Sequence, residues 1–488
     1  MKHLFLYFIS ILYFSIGLCQ NQANIWYFGD HAGIQFNSGS PTSLTNGAIG
    51  FENNFNYAGI NVNYSEGTSA ISDSLGNLLF YSDGQKIWNQ NHQIMYNGDS
   101  LMGNFSSTQS SIIVPKPNSS RYFYVFTVDD QNESQLKYGF RYSIVDICLD
   151  NGFGGVISTQ KNILLLDTVA EKVAAVKHSN GIDYWIVTHK LYSDKFYAYL
   201  LTENGISDTV ISQIGSIHPY AQGQLKISPN GEKLALSANQ HYIPPYYLEL
   251  FDFNKTTGHV FNPISLVSPY NLPVFGIEFS PDNSKLYCVY SGTNPQGMGI
   301  VQYNINAGTE SNINNSMNIV YNTTSAIALR ALQLGPNGKI YQVSANNPKY
   351  LLSINYPNNY GISCNVQDSA VYLNGKRGSI GLPSFISDFA YHNNDYKCFN
   401  SISEVNIYNS LKNYPNPFNK QTIIESQTFL KNACLKITNI YGITLKELNN
   451  INGEKITLER ENLPSGIFYL QLFQNNRLIA STKLIITD

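Results

Sequence analysis

Three observations predict an all-β fold for this chain. A hairpin pattern returns about every fifty residues, the composition favours strands and tight turns, and a block of short alternating segments follows a double proline near the end. Thirty-five Tyr and 26 Phe occur beside abundant Asn, Ser and Gly. Aromatic rings fill pleated surfaces, and Asn and Gly accept the positive φ of tight turns. At 488 residues the chain exceeds one ordinary core, so several domains, or one repeat domain with a module, are expected. Charged residues make 13% and the formal net charge is −3, which leaves no basic surface to track phosphates and excludes nucleic acid as a partner.

The amino-terminal segment "MKHLFLYFISILYFSIGLCQ" has Lys2, an apolar run from Leu4 to Leu18, and the small residues Gly17 and Cys19 where a signal peptidase cuts. Residues 1–19 are read as a signal peptide. Its apolar run is shorter than the roughly 18 to 20 residues a membrane span needs, and no later segment reaches that length, so no transmembrane segment is expected after its removal. Leu18 stands where a lipoprotein box has a small residue, which argues against lipidation of Cys19. The other cysteines, Cys148, Cys288, Cys364, Cys398 and Cys434, have no metal-ligand spacing. Cys148 and Cys288 lie in apolar runs and read as small core residues, whereas Cys364 and Cys398 are candidates for a disulfide.

The repeat is clearest in "LKISPNGEKLALS" from Leu225, "IEFSPDNSKLYCV" from Ile277 and "LQLGPNGKIYQVS" from Leu332. Each is a short apolar strand, a turn rich in Pro, Asn and Gly, and a second strand. Looser copies begin at Val176, Ile113 and Ala70. The residues opening the turns are Ser72, Pro115, His178, Ser228, Ser280 and Gly335, separated by 43, 63, 50, 52 and 55 positions. About fifty residues with four short strands per period is the mark of a β-propeller blade. A seventh copy is split between the ends: "GLPSFISDFAY" from Gly381 supplies an inner strand, and "NIWYFGDHAGIQFN" from Asn24 supplies strands lacking one. Joining them in one blade would close the ring. The expectation is a seven-bladed β-propeller over 22–390, a linker over 391–413 and a small Ig-like β-sandwich over 414–488.

Within the propeller region, "NIWYFGDHAGIQFN", "EGTSAISDSLGNLLFYSDGQKIWN", "SSTQSSIIVPKP" and "AVKHSNGIDYWIVTHK" resemble secreted WD-type propeller proteins of Bacteroidota. That resemblance concerns fold and implies no particular activity.

"NYPNPFN", Asn413 to Asn419, places two prolines within three positions and forces an irregular passage suited to a boundary. Behind it run "QTIIESQT", "ACLKITNIYGITLKEL", "EKITLERENL", "SGIFYLQLF" and "RLIASTKLIITD", with period-two apolar faces at Leu435 and Ile437, Ile456 and Leu458, and Leu484 and Ile486. "YPNPF", the hairpin around "NIYGITL", "LPSGIFYLQL" and the closing "KLIIT" resemble, in order, the C-terminal sorting domain of the type IX secretion system. The resemblance implies transit of the periplasm, handling by the type IX machinery, removal of the module, and release or attachment at the outer surface.

No catalytic motif appears: HExxH, GxSxG, P-loop and GxGxxG at a strand-to-helix junction are all absent. No cofactor or metal is expected. Asp83-Gly84 in "YSDGQKIWN" reads as a hairpin turn. His189 and Lys190 close the strand "DYWIVTHK" and read as solvated strand-end residues, with a cleft position as the alternative. In a propeller the residues just before each innermost strand ring the channel mouth, where rigid scaffolds present function. Here they are Glu66, Gln109, Glu171, Lys172, Gln222, Gln224 and Arg330, a candidate site for a glycan or protein ligand with blade-to-blade bonding as the alternative. The functional expectation is a secreted or surface binding protein. A polysaccharide-acting hydrolase or lyase, for which Glu66 and Glu171 are the obvious carboxylates, and a structural or gliding-related component are the alternatives. One register test follows: Lys226 and Glu278 occupy matching positions on neighbouring inner strands and should pair, because an unpaired charge there would be costly to bury.

Overall fold

A computed structural model describes residues 21–50, 55–57, 60–62, 66–131, 136–240, 243–292, 297–324, 330–389, 391, 396, 411–439, 443–474 and 477–488. The signal peptide read over 1–19 lies outside them. The chain divides into two compact units, residues 1–398 and 399–488.

Among the described residues the first unit holds seven sheets in a ring, antiparallel but for one added strand, a seven-bladed β-propeller. The inner strands of the seven sheets are, in chain order, Ile25–Phe28, Thr68–Ser72, Ser111–Pro115, Ala174–Lys177, Leu225–Ile227, Val274–Phe279 and Gln333–Leu334, and Pro383–Ser384 adds one further strand inside Thr68–Ser72. Consecutive inner strands lie side by side, and the ring closes where Val366–Tyr372, outermost in the seventh sheet, meets Thr42–Leu44, outermost in the first. Burial follows position. The second strands Tyr184–His189 and Lys285–Ser291 are buried throughout, while the outermost strand Gly205–His218 alternates buried and exposed residues. A strand covered by sheets on both faces reads as a largely apolar run, whereas one with a wet face alternates.

The six turns expected from the repeat lie directly after inner strands, and their side chains show why. Ser280 Oγ donates to Asp282 Oδ1 at 2.6 Å and accepts from Lys285 N at 2.9 Å, and Ser228 repeats this with Asn230 and Lys233. Each Ser-Pro-Asn/Asp turn thus satisfies its own backbone locally, with Asn283 at a φ of 61° supplying the left-handed residue. Asp83 Oδ1 likewise accepts from Gln85 N and Lys86 N, at 2.9 and 2.8 Å, and fastens a hairpin turn.

Ring closure differs from the sequence expectation. Ile25–Phe28 is itself the inner strand of the first sheet, so the amino-terminal copy is not short of one. The segment from Gly381 pairs elsewhere: Pro383–Ser384 runs parallel to Thr68–Ser72, with Pro383 opposite Thr68. It then continues along the axis, where Phe385 and Ile386 are buried and Ser387 Oγ donates to Ile227 O at 2.9 Å. Tyr391 and Tyr396 are buried beyond it, Tyr396 stacking near Phe123 at 4.8 Å between ring centroids. Gly381 permits the entry, because a Cβ there would stand 1.8 Å from the Glu66 carbonyl oxygen. Trp26 shows the result: its ring lies 5.9 Å from Tyr341 of the seventh sheet and 5.7 Å from Phe385 of the threaded segment. The apolar "LPSFI" run thus fills the axis.

Two cysteine assignments also change. Cys364 is a free, buried thiol at the end of the turn Gly361–Cys364, packed in the core shared by the sixth and seventh sheets, so it does not bond Cys398. Burial pushes its thiol pKa up. Cys148, read as a core residue, is disulfide-bonded to a partner outside the described residues.

The second unit is a sandwich whose layers are continuous. Gln421–Thr438 pairs along its length with Thr444–Glu459, with register shifts near Leu430 and Ala433 where the long hairpin bends. One end of Gln421–Thr438 also pairs with Lys412–Tyr414 and the other with Gly466–Gln474, which in turn pairs with Arg477–Ile486. Ile424, Leu435, Leu458, Leu470 and Leu484 from these strands share one core.

Candidate functional site

The expected channel-mouth ring is enclosed. Gln109 accepts from Leu225 N at 2.8 Å through Oε1, while its Nε2 donates to Val173 O at 3.0 Å and Leu225 O at 3.2 Å. One buried amide thereby ties the third, fourth and fifth sheets. Gln224 does the same for the fifth, sixth and seventh, its Oε1 accepting from Ile277 N at 3.0 Å and Leu332 N at 3.2 Å. Glu171 accepts from Thr108 N and Oγ1 and from Gln131 N at 3.1 to 3.2 Å, and burial pushes its pKa up to about 7, with the Asp130 charge adding to the shift. Lys172 Nζ donates to the carbonyls of Ala221 and Gln222, and burial pulls its pKa down. Gln222 joins this set through its backbone. Arg330 Nη1 donates to Ser379 O at 2.6 Å, beside the entry of the threaded segment, and Glu66 is buried under Gly381. The structure brings Gln109 to Glu171 and Lys172 to Gln222, places Arg330 and Glu66 on the incoming chain, and gives none of the seven an open cleft.

Lys226 and Glu278 meet as the register requires, Nζ to Oε2 at 2.9 Å. Lys226 Nζ also donates to Gln333 Oε1 at 2.6 Å, and Glu278 accepts from the backbone of Phe279 and Leu334 at 3.0 and 2.9 Å. Inner strands of three sheets share this network.

His189 is fully buried rather than solvated. Its ring lies 4.5 Å from that of His218 and 4.7 Å from Phe196, and neither ring nitrogen has a hydrogen-bond partner. His218 is held by Glu249 at 2.7 Å, and Glu249 also accepts from Ser216. Burial, then the neighbouring His218 and Lys172, hold the His189 pKa well below its ordinary 6.5. A depressed imidazole binds its proton more readily in the unfolded chain, so its contribution to stability is present above the unfolded value and is lost as pH falls below it. We expect acid destabilisation of about 1.4 kcal/mol per pH unit below roughly pH 6.5 from this one group. Chemical denaturation of wild type and His189→Leu from pH 7.5 to 5 checks it; equal slopes in the two proteins would refute the assignment.

An open groove lies at the seam. Among the described residues the first sheet has three strands, the last Thr42–Leu44, whereas the seventh has a fourth, Val366–Tyr372. Between them lies a groove of about 480 Å³ lined by Ser40–Ser43 on one side and by Lys339, Tyr341, Ser353, Asn355, Gln367 and Ala370–Tyr372 on the other. Asn355 organises its floor: Oδ1 accepts from Lys339 Nζ at 2.7 Å and Ser353 Oγ at 3.2 Å, and Nδ2 donates toward Gln367 Oε1 at 3.4 Å. Tyr372 is exposed at the rim, with its ring 5.0 Å from Tyr350. Hydroxyls, amides and an aromatic edge can exchange hydrogen bonds with a polyhydroxylated chain and stack on its apolar face. Sequence reasoning missed these residues, and the available signal was indirect: after Leu44 the next repeat strand begins only at Thr68. The hairpin between, Phe55–Tyr57 with Ile60–Val62, forms a two-stranded sheet of its own among the described residues.

Among the described residues no group of three His, Cys, Asp or Glu side chains is placed to hold a metal, and no helix is long and apolar enough to cross a membrane. No curated protein matches the chain. Among solved structures it is similar to the hydrazine synthase of Kuenenia stuttgartiensis at 9% identity, covering 66% of this chain and 86% of that one with a TM-score of 0.38. It is similar to the GH74 enzyme of Niastella koreensis at 8% identity, covering 83% and 56% with a TM-score of 0.39. The periplasmic gluconolactonase of Pseudomonas aeruginosa is similar at 11%, covering 78% and 97% with a TM-score of 0.33. Likenesses this faint carry no argument about chemistry here. Residues 412–487 match the family model described as the secretion system C-terminal sorting domain. The second unit is therefore a sorting domain of the type IX secretion system, which directs the chain to the cell surface or the medium.

Proposed function

We propose that the propeller is a binding protein which, once exported, holds a glycan in the groove between its first and seventh sheets. The groove carries the proposal: it is the polar opening left where one sheet stops a strand short of its neighbour. Its lining contains no carboxylate, whereas glycoside hydrolysis calls for an acid paired with a base or nucleophile, so binding is the better reading there. The enclosed ring of Glu66, Gln109, Glu171, Lys172, Gln222, Gln224 and Arg330 serves in this proposal to hold sheets together.

A glycan array probed with the full chain and with Ala370→Trp tests it. Ala370 is half-buried in the groove, and an indole there fills space a ligand needs. Loss of binding in Ala370→Trp is expected, with a thermal midpoint close to wild type. Arg330→Ala and Glu171→Ala should instead lower the midpoint and leave affinity unchanged. Binding that survives Ala370→Trp and disappears in the two ring variants would move the site to the channel mouth.

Maturation is part of the proposal. The machinery that reads the sorting domain also removes it, and the cut falls after Tyr396, because Tyr391 and Tyr396 belong to the propeller core. Intact mass of surface or released protein reads the new terminus, and an end before residue 391 would contradict the assignment.

A further inference from the structure

We infer that the groove selects an acidic glycan, one bearing uronate carboxylates or sulfate esters, with Lys339 as the residue that meets the anion. The inference rests on the groove being the binding site. Lys339 is the only charged residue in its lining, and among the described residues it has no carboxylate partner. Its ammonium is half-buried and spends one donor on Asn355 Oδ1 at 2.7 Å, which fixes its direction and leaves two donors for a ligand. Other lysines of the propeller are closed on carboxylates. Lys226 is closed on Glu278, and Lys233 on Asp252. Asp368, next in sequence to Gln367, points away from the groove to Asn346 and Tyr321. Gln367 and Asp368 are adjacent in a strand and leave on opposite faces, and the irregularity at Ser369, with a φ of 56°, brings Ala370 and Tyr372 back to the groove beside the amide.

A lone, oriented cation amid neutral amides and hydroxyls favours an anionic group on a polyhydroxylated ligand. A neutral sugar would have to leave that ammonium with poorer partners than water, which lowers its affinity. Ser353, Asn355 and Gln367 would serve the sugar hydroxyls, and Tyr372 one pyranose face.

The test measures binding of the full chain to polygalacturonate, to a sulfated galactan and to a neutral glucan, by affinity electrophoresis and calorimetry. At least one anionic polymer should bind about tenfold or more tightly than the glucan, since hydrogen bonds to a charged group carry that much discrimination. Which of the two prevails tells carboxylate from sulfate, and either supports the inference. Lys339→Met should erase the preference, and Lys339→Arg should keep most of it. If Lys339→Met does not fold, a salt titration of the wild type decides: anionic binding should weaken with rising salt, and a flat response overturns the inference. Equal affinity for all three polymers, abolished by Ala370→Trp, would overturn the acidic preference and leave the groove standing. Preference for acidic polymers that persists in Ala370→Trp would overturn both.

Discussion

Replacing Phe385 and Ile386 by alanine is expected to unfold the propeller at moderate temperature, although both residues lie in a segment that follows the last complete sheet. Phe385 is 8% and Ile386 1% exposed, and they pack against Trp26 and the inner strands. Large-to-small changes at such sites cost about 2 to 5 kcal/mol each, from lost transfer energy and the cavity left behind. Two together approach the roughly 5 to 15 kcal/mol of net stability that native domains possess. The measurement is a thermal and urea melt of the double variant beside Phe429→Ala, which removes an exposed ring from the second unit. A double variant that melts within a degree or two of wild type would mean that the threaded segment is dispensable, and that the sheets alone fill the axis.

Glu278→Ala is expected to be nearly as damaging, and for a different reason. It leaves the Lys226 ammonium buried with only Gln333 to face it, and removes the acceptor for Leu334 N. Breaking one side of a buried ion pair typically costs about 3 to 5 kcal/mol, because the remaining charge has no solvent and no partner. The double variant Lys226→Met with Glu278→Leu should recover most of this loss, since hydrophobic replacements of a buried pair are often neutral or stabilising. Chemical denaturation of the two single variants and the double variant checks it. Additive losses would show that the two side chains act separately and that their 2.9 Å contact carries little energy.

Much of the molecule was legible in the chain because the information is local. A Ser-Pro-Asn turn closes on its own side chains, so the hairpins at Ser228 and Ser280 follow from neighbours in sequence. Their spacing dictates repeated sheets, and seven repeats return to the start. The Lys226 and Glu278 pairing was readable for a related reason, since equivalent positions in successive repeats face each other. The sorting domain was legible from ordered motifs that end in an alternating strand.

Other features depend on contacts between residues far apart, and only the tertiary structure decided them. "LPSFI" reads as the inner strand of the first sheet, but that sheet already has Ile25–Phe28, so Pro383–Ser384 pairs with the second sheet instead and Phe385 and Ile386 are buried beyond it. With the axis filled, residues whose polarity suggested a ligand site became clamps: Gln109 bonds to Leu225, 116 positions away. His189 at a strand end looked solvated, yet His218 from the outermost strand of its own sheet covers it, and Tyr247 and Glu249 of the next sheet hold His218 in place. The groove arises the same way, from a first sheet that has three strands among the described residues beside a seventh that has four. A sequence shows which residues prefer strands and turns; how many strands each sheet completes is settled by competition for buried edges, and that competition sealed the channel and opened the seam.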